Sequence, residues 1–313
     1  MVDISILMPC YNEGKFIREN IFETIYTLKK LNNHSFELIV IDDGSKDKTY
    51  QEITAGAKDN GYVKTVQLKQ NMGKGCALRE GFQYAEGRYI CFLDGDLDIH
   101  PRLINTFLEF MNKENADVVI GSKRHPSSKV NYPFHRKILS LGYQSFIKIL
   151  FNLSIKDSQV GIKIYKKEVL DKIFPRILVK DYAFDIELLI NAHRNGYKIV
   201  EAPIDMDFQS AGVGSDVSPE AYFRMFIDTC AIFYRTNLLH YYDRQHIEKE
   251  INYPTLIEKE NKLNNISKYV KEMKHFPYEN PSKLNVILNE DSIEPDELIS
   301  KLKLNKPILS KKQ

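Results

Sequence analysis

The sequence predicts an α/β fold: a mostly parallel sheet flanked by helices. Two observations predict it. Short β-branched apolar runs alternate with segments of helical length through the first two hundred residues, and acids recur where those runs end. The composition agrees, since 313 residues that are 43% hydrophobic, 27% charged and 11% aromatic can bury a large core. That balance excludes wholesale disorder, a collagen-like repeat and a disulfide scaffold.

Taken in order, strands are expected at 4–9 (ISILMP), 37–42 (ELIVID), 63–68, 89–94 (YICFLD) and 118–121, each a short apolar or β-branched run. Helices are expected between them at 14–31, 46–58, 74–85 and 101–113. Strand–helix–strand order requires right-handed crossovers and therefore parallel pairing. Ligands of such sheets lie beyond the carboxyl ends of the strands.

From residue 133 the expected elements are a long helix at 133–151, a loop containing DSQVGIK, a helix at 183–195 and a strand at 198–201. The segment 219–240 reads as a helix on which Tyr222, Phe223, Phe226, Cys230, Phe233 and Tyr234 cover a broad apolar face. Such a face suits either core packing or a helix lying on a bilayer. After residue 245 the composition shifts to Lys, Glu, Asn and isolated Pro, with amphipathic stretches at 254–274 and 293–304. The expected organisation is a catalytic domain at 1–218, an amphipathic helix at 219–244 and a small helical appendage or partly mobile tail at 245–313.

Cys10, Cys76, Cys91 and Cys230 form no C-x-x-C clip and read as reduced cytosolic thiols. The N-terminus lacks the pattern of a signal peptide, and no run reaches the about 18 apolar residues of a spanning helix, so the chain is not expected to cross a membrane by itself. Total charge is nearly balanced, with 44 Lys and Arg against 42 Asp and Glu, yet residues 123–180 hold 13 basic residues and three acids. Such a block is either a solvated surface or a site for anionic head groups or phosphates. No nucleic-acid partner is expected.

The strongest chemical signal is YICFLDGDLDIHP. Alternate residues of an extended chain face the same way, so Asp94, Asp96 and Asp98 could converge on one ion. A hard cation such as Mg²⁺ takes one or two carboxylates and completes its shell with water and phosphate oxygens, which suits a nucleoside diphosphate ligand. An EF-hand is excluded because Ile99 follows Asp98 and a strand precedes the run. In NMGKG, Asn71, Gly73, Lys74 and Gly75 precede a helix, where backbone amides and one Lys can meet a phosphate. The Walker A and dinucleotide glycine spacings are absent.

Taken together, PCYNEG at 9–14, IDDGSKDKT at 41–49, NMGKG at 71–75 and DGDLD at 94–98 resemble the inverting family 2 glycosyltransferases of the GT-A (Rossmann-like) fold. GSKR at 121–124, DSQVGIKIY at 157–165 and YAFDIELL at 182–189 resemble the dolichyl-phosphate glucosyltransferase branch of the polyprenyl-phosphate hexosyltransferases. The resemblance covers roughly residues 3–240. It implies that Pro9, Tyr11, Glu13 and Asp42 hold the nucleoside, with Asp42 facing the base. Asp94 and Asp96 would serve ribose, diphosphate and metal (Mg²⁺ or Mn²⁺), with Asp98 completing the metal's protein ligands. Arg136, with Lys123 and Arg124, would receive the lipid phosphate. The family usually has Gly-Ser-Arg where this chain has Gly121, Ser122 and Lys123, and its members usually carry transmembrane helices.

A lipid monophosphate, with a second pKa of about 6, is mostly a dianion at neutral pH and can attack without a general base. Asp185 is therefore expected beside the acceptor phosphate or sugar, and Glu187 is expected to transfer no proton. Ser158 and Gln159 are candidate sugar contacts, while His100 and His125 lack metal-ligand spacing. The expected reaction moves a hexose from a nucleotide sugar, first UDP-glucose and second GDP-mannose, to polyprenyl phosphate. It would occur at the cytoplasmic face of a membrane, reached by peripheral contact or through a membrane-protein partner. Two rival readings are a soluble family 2 transferase acting on a sugar or protein hydroxyl, and a non-catalytic nucleotide-sugar sensor.

Overall fold

Every residue of β1 (Ile4–Cys10) is buried, because its sheet is covered on both faces. Alternate residues serve opposite layers: Ile6 and Met8 pack in one core cluster and Leu7 in the other. The computed structural model describes residues 2–30, 34–58, 60–131, 134–181, 183–207 and 219–243. The appendage expected at 245–313, with both amphipathic stretches, lies outside the described residues.

β1 is followed by α1 (Ile17–Lys29), β2 (Phe36–Asp42), α2 (Thr49–Ala57), β3 (Val63–Gln67), α3 (Lys74–Phe82), β4 (Tyr89–Phe92), α4 (Leu103–Lys113) and β5 (Val118–Ser122). Then come β6 (Lys129–Asn131), α5 (Phe134–Phe151), β7 (Lys163–Lys166), α6 (Lys167–Ile173), α7 (Phe184–Arg194), β8 (Ile199–Pro203), β9 (Asp205–Asp207) and α8 (Pro219–Asn237), with 3₁₀ turns at Phe174–Arg176 and Tyr241–Asp243. The main sheet has seven strands in the order β3-β2-β1-β4-β7-β5-β8. β1 pairs in parallel with both β2 and β4, so the winding reverses between β1 and β4. A crevice forms at such a switch point.

The strand KIYK was not expected from the sequence. β7 runs antiparallel to both β4 and β5, with Lys163 opposite Phe92. It starts where β4 ends, which carries the DSQVGIK loop over the carboxyl edge of the sheet. The ribbon of β6 and β9 was also unforeseen.

Part of the apolar face of α8 packs against α5, and part of it stays exposed. Thr229, Ile232 and Thr236 are buried, and Phe226 and Phe233 meet Phe146 and Phe151 of α5 at ring distances of 5.1 and 5.9 Å. Tyr143 Oη and Thr229 Oγ1 share a hydrogen bond of 2.8 Å. On the outer side Phe223, Ile227 and Tyr234 are exposed, as is Leu238 just past the helix end. No described helix is long and apolar enough to cross a membrane. All four cysteines are free.

Candidate active site

The site begins with two loops that fasten each other. Asn12, at φ 57°, donates its amide to Ser45 Oγ (2.9 Å), and its Oδ1 accepts from the Lys46 amide (2.9 Å). Glu13 N donates to Thr49 Oγ1 (2.7 Å) and Gly14 N to Asp47 Oδ2 (3.1 Å). These bonds hold residues 12–14 in a loop, so α1 starts at Ile17 rather than at 14. Pro9 is buried in β1, and Tyr11 stands exposed at the strand's end. Asp42 is wholly buried, accepting from Ser45 N (3.0 Å) at Oδ1 and from Gln67 Nε2 (3.2 Å) at Oδ2.

Asp43 anchors the next loop. Its two oxygens accept the amides of Met72 (2.7 Å) and Gly73 (2.9 Å), and burial pushes its pKa up to about 6 against those bonds. Gly73 has φ +88°, and a Cβ there would meet the Lys180 carbonyl oxygen at 2.7 Å. Lys74 follows as the first residue of α3, and its Nζ lies 2.5 Å from Asp94 Oδ1. Desolvation opposes the ammonium, but Asp94, Asp185 and Asp96 together hold its pKa above the usual lysine value.

The three aspartates do not converge as alternation predicted. β4 ends at Phe92, and Leu97 at φ 54° breaks the extended run, so Asp94 turns to Lys74. Among the described residues no three His, Cys, Asp or Glu side chains are arranged to hold a metal. What remains is a pair, Asp96 and Asp98, with Asp98 N donating to Asp96 Oδ1 (3.1 Å). Desolvation by the cleft walls, then Asp94 and Asp98, pushes Asp96 up to about 6, and Asp98 is raised by the same causes. Glu13 is driven to about 8 by burial and then by Asp96 and Asp94, and its Oε2 is buried with no hydrogen-bond partner. Excess negative charge on two adjacent carboxylates fits a hard cation that draws its other ligands from water and phosphate.

Two glycines make room for these acids. A Cβ on Gly95 would strike Glu13 Oε2, and one on Gly161 would strike Asp94 Oδ2. The Gly of DSQVGIK is thus explained by the Asp of DGDLD.

On the far side of the crevice Asp185 is 2.9 Å from Lys163 Nζ, which also donates to the Val160 carbonyl (2.6 Å). Lys163 is buried, and desolvation lowers its pKa while Asp185 opposes the shift. Lys123 pairs with buried Asp157 through its amide (3.1 Å) and its Nζ (3.4 Å). Arg124 donates to the Lys156 carbonyl (2.5 Å) and to Ser140 Oγ (2.8 Å). Arg136 belongs to α5, but its side chain lies outside the described residues. Ser158 is buried and accepts from Gln144 (2.7 Å), so the structure does not bring it into the open crevice. Gln159 is half-buried with its Nε2 unpartnered. Glu187 is enclosed and faces away from the carboxylate pair, toward Leu178, Val179, Arg235 and Tyr242.

Sequence reading gave no individual role to Asp43, Gly161 or Lys163. Lys163 did carry a signal: a lysine inside the apolar run VGIKIY requires a buried counter-charge.

A family profile described as Glycosyl transferase family 2 matches residues 5–174. The chain is 32% identical over 256 residues to dolichyl-phosphate beta-glucosyltransferase ALG5D of Trichomonas vaginalis, covering 78% of this chain and 77% of that one. It is 31% identical to the dolichyl-phosphate beta-glucosyltransferase of Dictyostelium discoideum, covering 64% of this chain and 65% of the relative. Among solved structures it is similar to glucosyl-3-phosphoglycerate synthase of Mycobacterium tuberculosis in complex with Mn²⁺, UDP and glucosyl-3-phosphoglycerate. That match has TM-score 0.55 and 20% identity, and covers 74% of this chain and 79% of that one, a likeness of fold.

Proposed function

The chain belongs to glycosyl transferase family 2, and from that premise we propose that it transfers glucose from UDP-glucose, with inversion, to a polyprenyl (dolichyl) phosphate. The observation that carries the donor half is the Lys74–Asp94 pair beside Asp96 and Asp98 at the switch point of the sheet. A cation and two free carboxylates there suit a nucleoside diphosphate. Tyr11 and Glu13, on the loop after β1, and Asp42, at the end of β2, hold the nucleoside, with Pro9 shaping the strand end beneath them. Asp96 and Asp98 would hold Mg²⁺ or Mn²⁺, which when bound supplies positive charge to the leaving diphosphate. Lys74 adds its own charge to the same group.

The acceptor half rests on the relatives' names and on two features of this chain. Lys123, Arg124 and Arg136 belong to the basic block 123–180 and receive the lipid phosphate. The acceptor dianion is its own nucleophile, so Asp185, neutralised by Lys163, orients the acceptor side and takes no proton. Gln159, on the loop that leads into β7, meets the sugar. Ser158 reaches the sugar only if Gln144 releases it.

The outer faces of α5 and α8 supply the membrane contact. Ile149 is 81% exposed and Phe223 66%, with Leu141, Ile227 and Leu238 also exposed. Burying one such side chain in a bilayer is worth about 1.5–3 kcal/mol. Lys148 and Arg224 stand exposed on the same two helices and suit anionic head groups. In this reading 1–218 is the catalytic domain and α8 an interfacial helix on a cytoplasmic membrane face. The donor is tested by offering UDP-glucose and GDP-mannose separately with polyprenyl phosphate in detergent. Lipid product from UDP-glucose is expected, and product from GDP-mannose alone would overturn the glucose assignment.

A further inference from the structure

Five residues between the 3₁₀ turn and α7 form a strap against the start of α3. The strap's backbone polar groups are held by two side chains, Arg79 and Glu187, and by one backbone amide of α3. The Ile177 carbonyl accepts from Arg79 Nη1 of α3 (2.5 Å). The amides of Leu178 and Val179 donate to Glu187 Oε2 at 3.0 and 2.7 Å. The Lys180 carbonyl accepts from Gly75 N (2.7 Å), one residue beyond Lys74. Gly73 and Gly75 have no space for a Cβ, because the strap and Phe184 lie directly on them.

Glu187 touches the strap twice. It is wholly buried. Its second oxygen meets the Tyr242 hydroxyl and lies 3.4 Å from Arg235 Nη2, both from the C-terminal end of α8 and the turn after it. A buried carboxylate is retained only where charge and hydrogen bonds compensate it, and here its four partners do so. The two amides it accepts would otherwise be orphaned.

We infer that Glu187 is a positioning residue for the donor, acting through the 177–181 strap to set the start of α3 and with it the ammonium of Lys74. This rests on the donor role proposed above for Lys74. The path has three links: Glu187 to the amides of Leu178 and Val179, the strap to Lys180, and the Lys180 carbonyl to Gly75 N. A glutamine at 187 replaces one acceptor oxygen by an NH₂, which must face either the strap amides or the Tyr242–Arg235 pair. Either choice sets donor against donor and loosens one end of the path.

The test is a double-mutant cycle on the full chain, read as affinity for UDP-glucose, or for GDP-mannose if that is the donor the unaltered chain binds. Calorimetry in Mg²⁺ supplies the constants for the unaltered chain, Lys74→Ala, Glu187→Gln and the double variant. Glu187→Gln is expected to weaken donor binding roughly tenfold with Lys74 present and less than about twofold with Lys74→Ala, because coupled sites are non-additive. KM for polyprenyl phosphate should stay unchanged. If Glu187→Gln does not fold, Tyr242→Phe enters the same cycle with a smaller effect, about threefold. Effects that multiply in the double variant, or a lowered melting temperature with unchanged donor affinity, overturn the inference and leave the role of Lys74 standing. A Lys74→Ala variant that binds donor as the unaltered chain does overturns both.

Discussion

The Lys74 ammonium lies 2.5 Å from Asp94 Oδ1, joining the start of α3 to the loop after β4 across the end of β1. The pair is half-exposed, so its worth is less in stability than in placement. Asp94 is thereby committed to a cation of the protein, and it is Asp96 and Asp98 that the proposed function assigns to a metal ion. Each side of the pair is held by a second contact. Asp43 grips the amides ahead of Lys74, and Gly161 leaves the space Asp94 fills.

Gly161→Ala tests the fit between the two motifs. The new methyl displaces Asp94 and separates it from Lys74, and misplacement on the ångström scale costs roughly ten- to a hundredfold in turnover. Steady-state kinetics with the donor varied should show that loss, while circular dichroism shows the fold retained.

Asp43→Asn tests the buried carboxylate that holds the Lys74 loop. Its folded pKa is raised to about 6, so the stability it contributes is full below the ordinary carboxylate range and is lost as pH rises through about 6. Relative to the unaltered chain, Asp43→Asn should therefore gain stability between about pH 4 and pH 6.5, by up to about 3 kcal/mol. Urea denaturation of both proteins across that range measures the difference. A constant difference would show that Asp43 is not perturbed.

The Asp185–Lys163 pair is buried, and removing one member leaves the other uncompensated at a cost of about 3–5 kcal/mol. Asp185→Asn should lower stability by an amount of that order, and Asp185→Leu combined with Lys163→Met should recover much of it. With a phosphate acceptor the pH–rate profile of Asp185→Asn should keep its shape. Loss of the limb belonging to a general base would point to a hydroxyl acceptor instead.

Membrane contact through α5 and α8 is tested by placing charge on its exposed apolar side chains. Ile149→Asp with Phe223→Asp should reduce sedimentation with anionic liposomes at least about tenfold, since each buried apolar side chain is worth about 1.5–3 kcal/mol. Both side chains face outward, so the melting temperature should hold. Undiminished binding would place the contact elsewhere.

Most of the sheet was legible because its strands are near-continuous apolar runs between turn residues, and β1, β2, β4 and β5 are found within a few residues of their expected bounds. β7 was not legible. KIYK is four residues long, carries two lysines, and pairs with strands far away in the chain. The acids at strand ends marked the crevice, whereas their geometry depended on Leu97, whose left-handed backbone no composition reveals. Lys163 in an apolar run called for a buried counter-charge, but that Asp185 supplies it, and that Asp43 holds Met72 and Gly73, are products of tertiary packing. The inner and outer faces of α8 could be told apart only once α5 lay against it.

The central claim is metal-assisted transfer of glucose to a lipid phosphate by a site that includes Asp96. It is tested most directly by incubating the full chain with radiolabelled UDP-glucose, polyprenyl phosphate and Mg²⁺ or Mn²⁺, then extracting the lipid phase, with Asp96→Ala alongside. The result expected is label in the lipid phase that is abolished by a chelator and by the substitution. Nucleotide sugar that binds but yields no lipid label, or label that persists undiminished in Asp96→Ala, would contradict it.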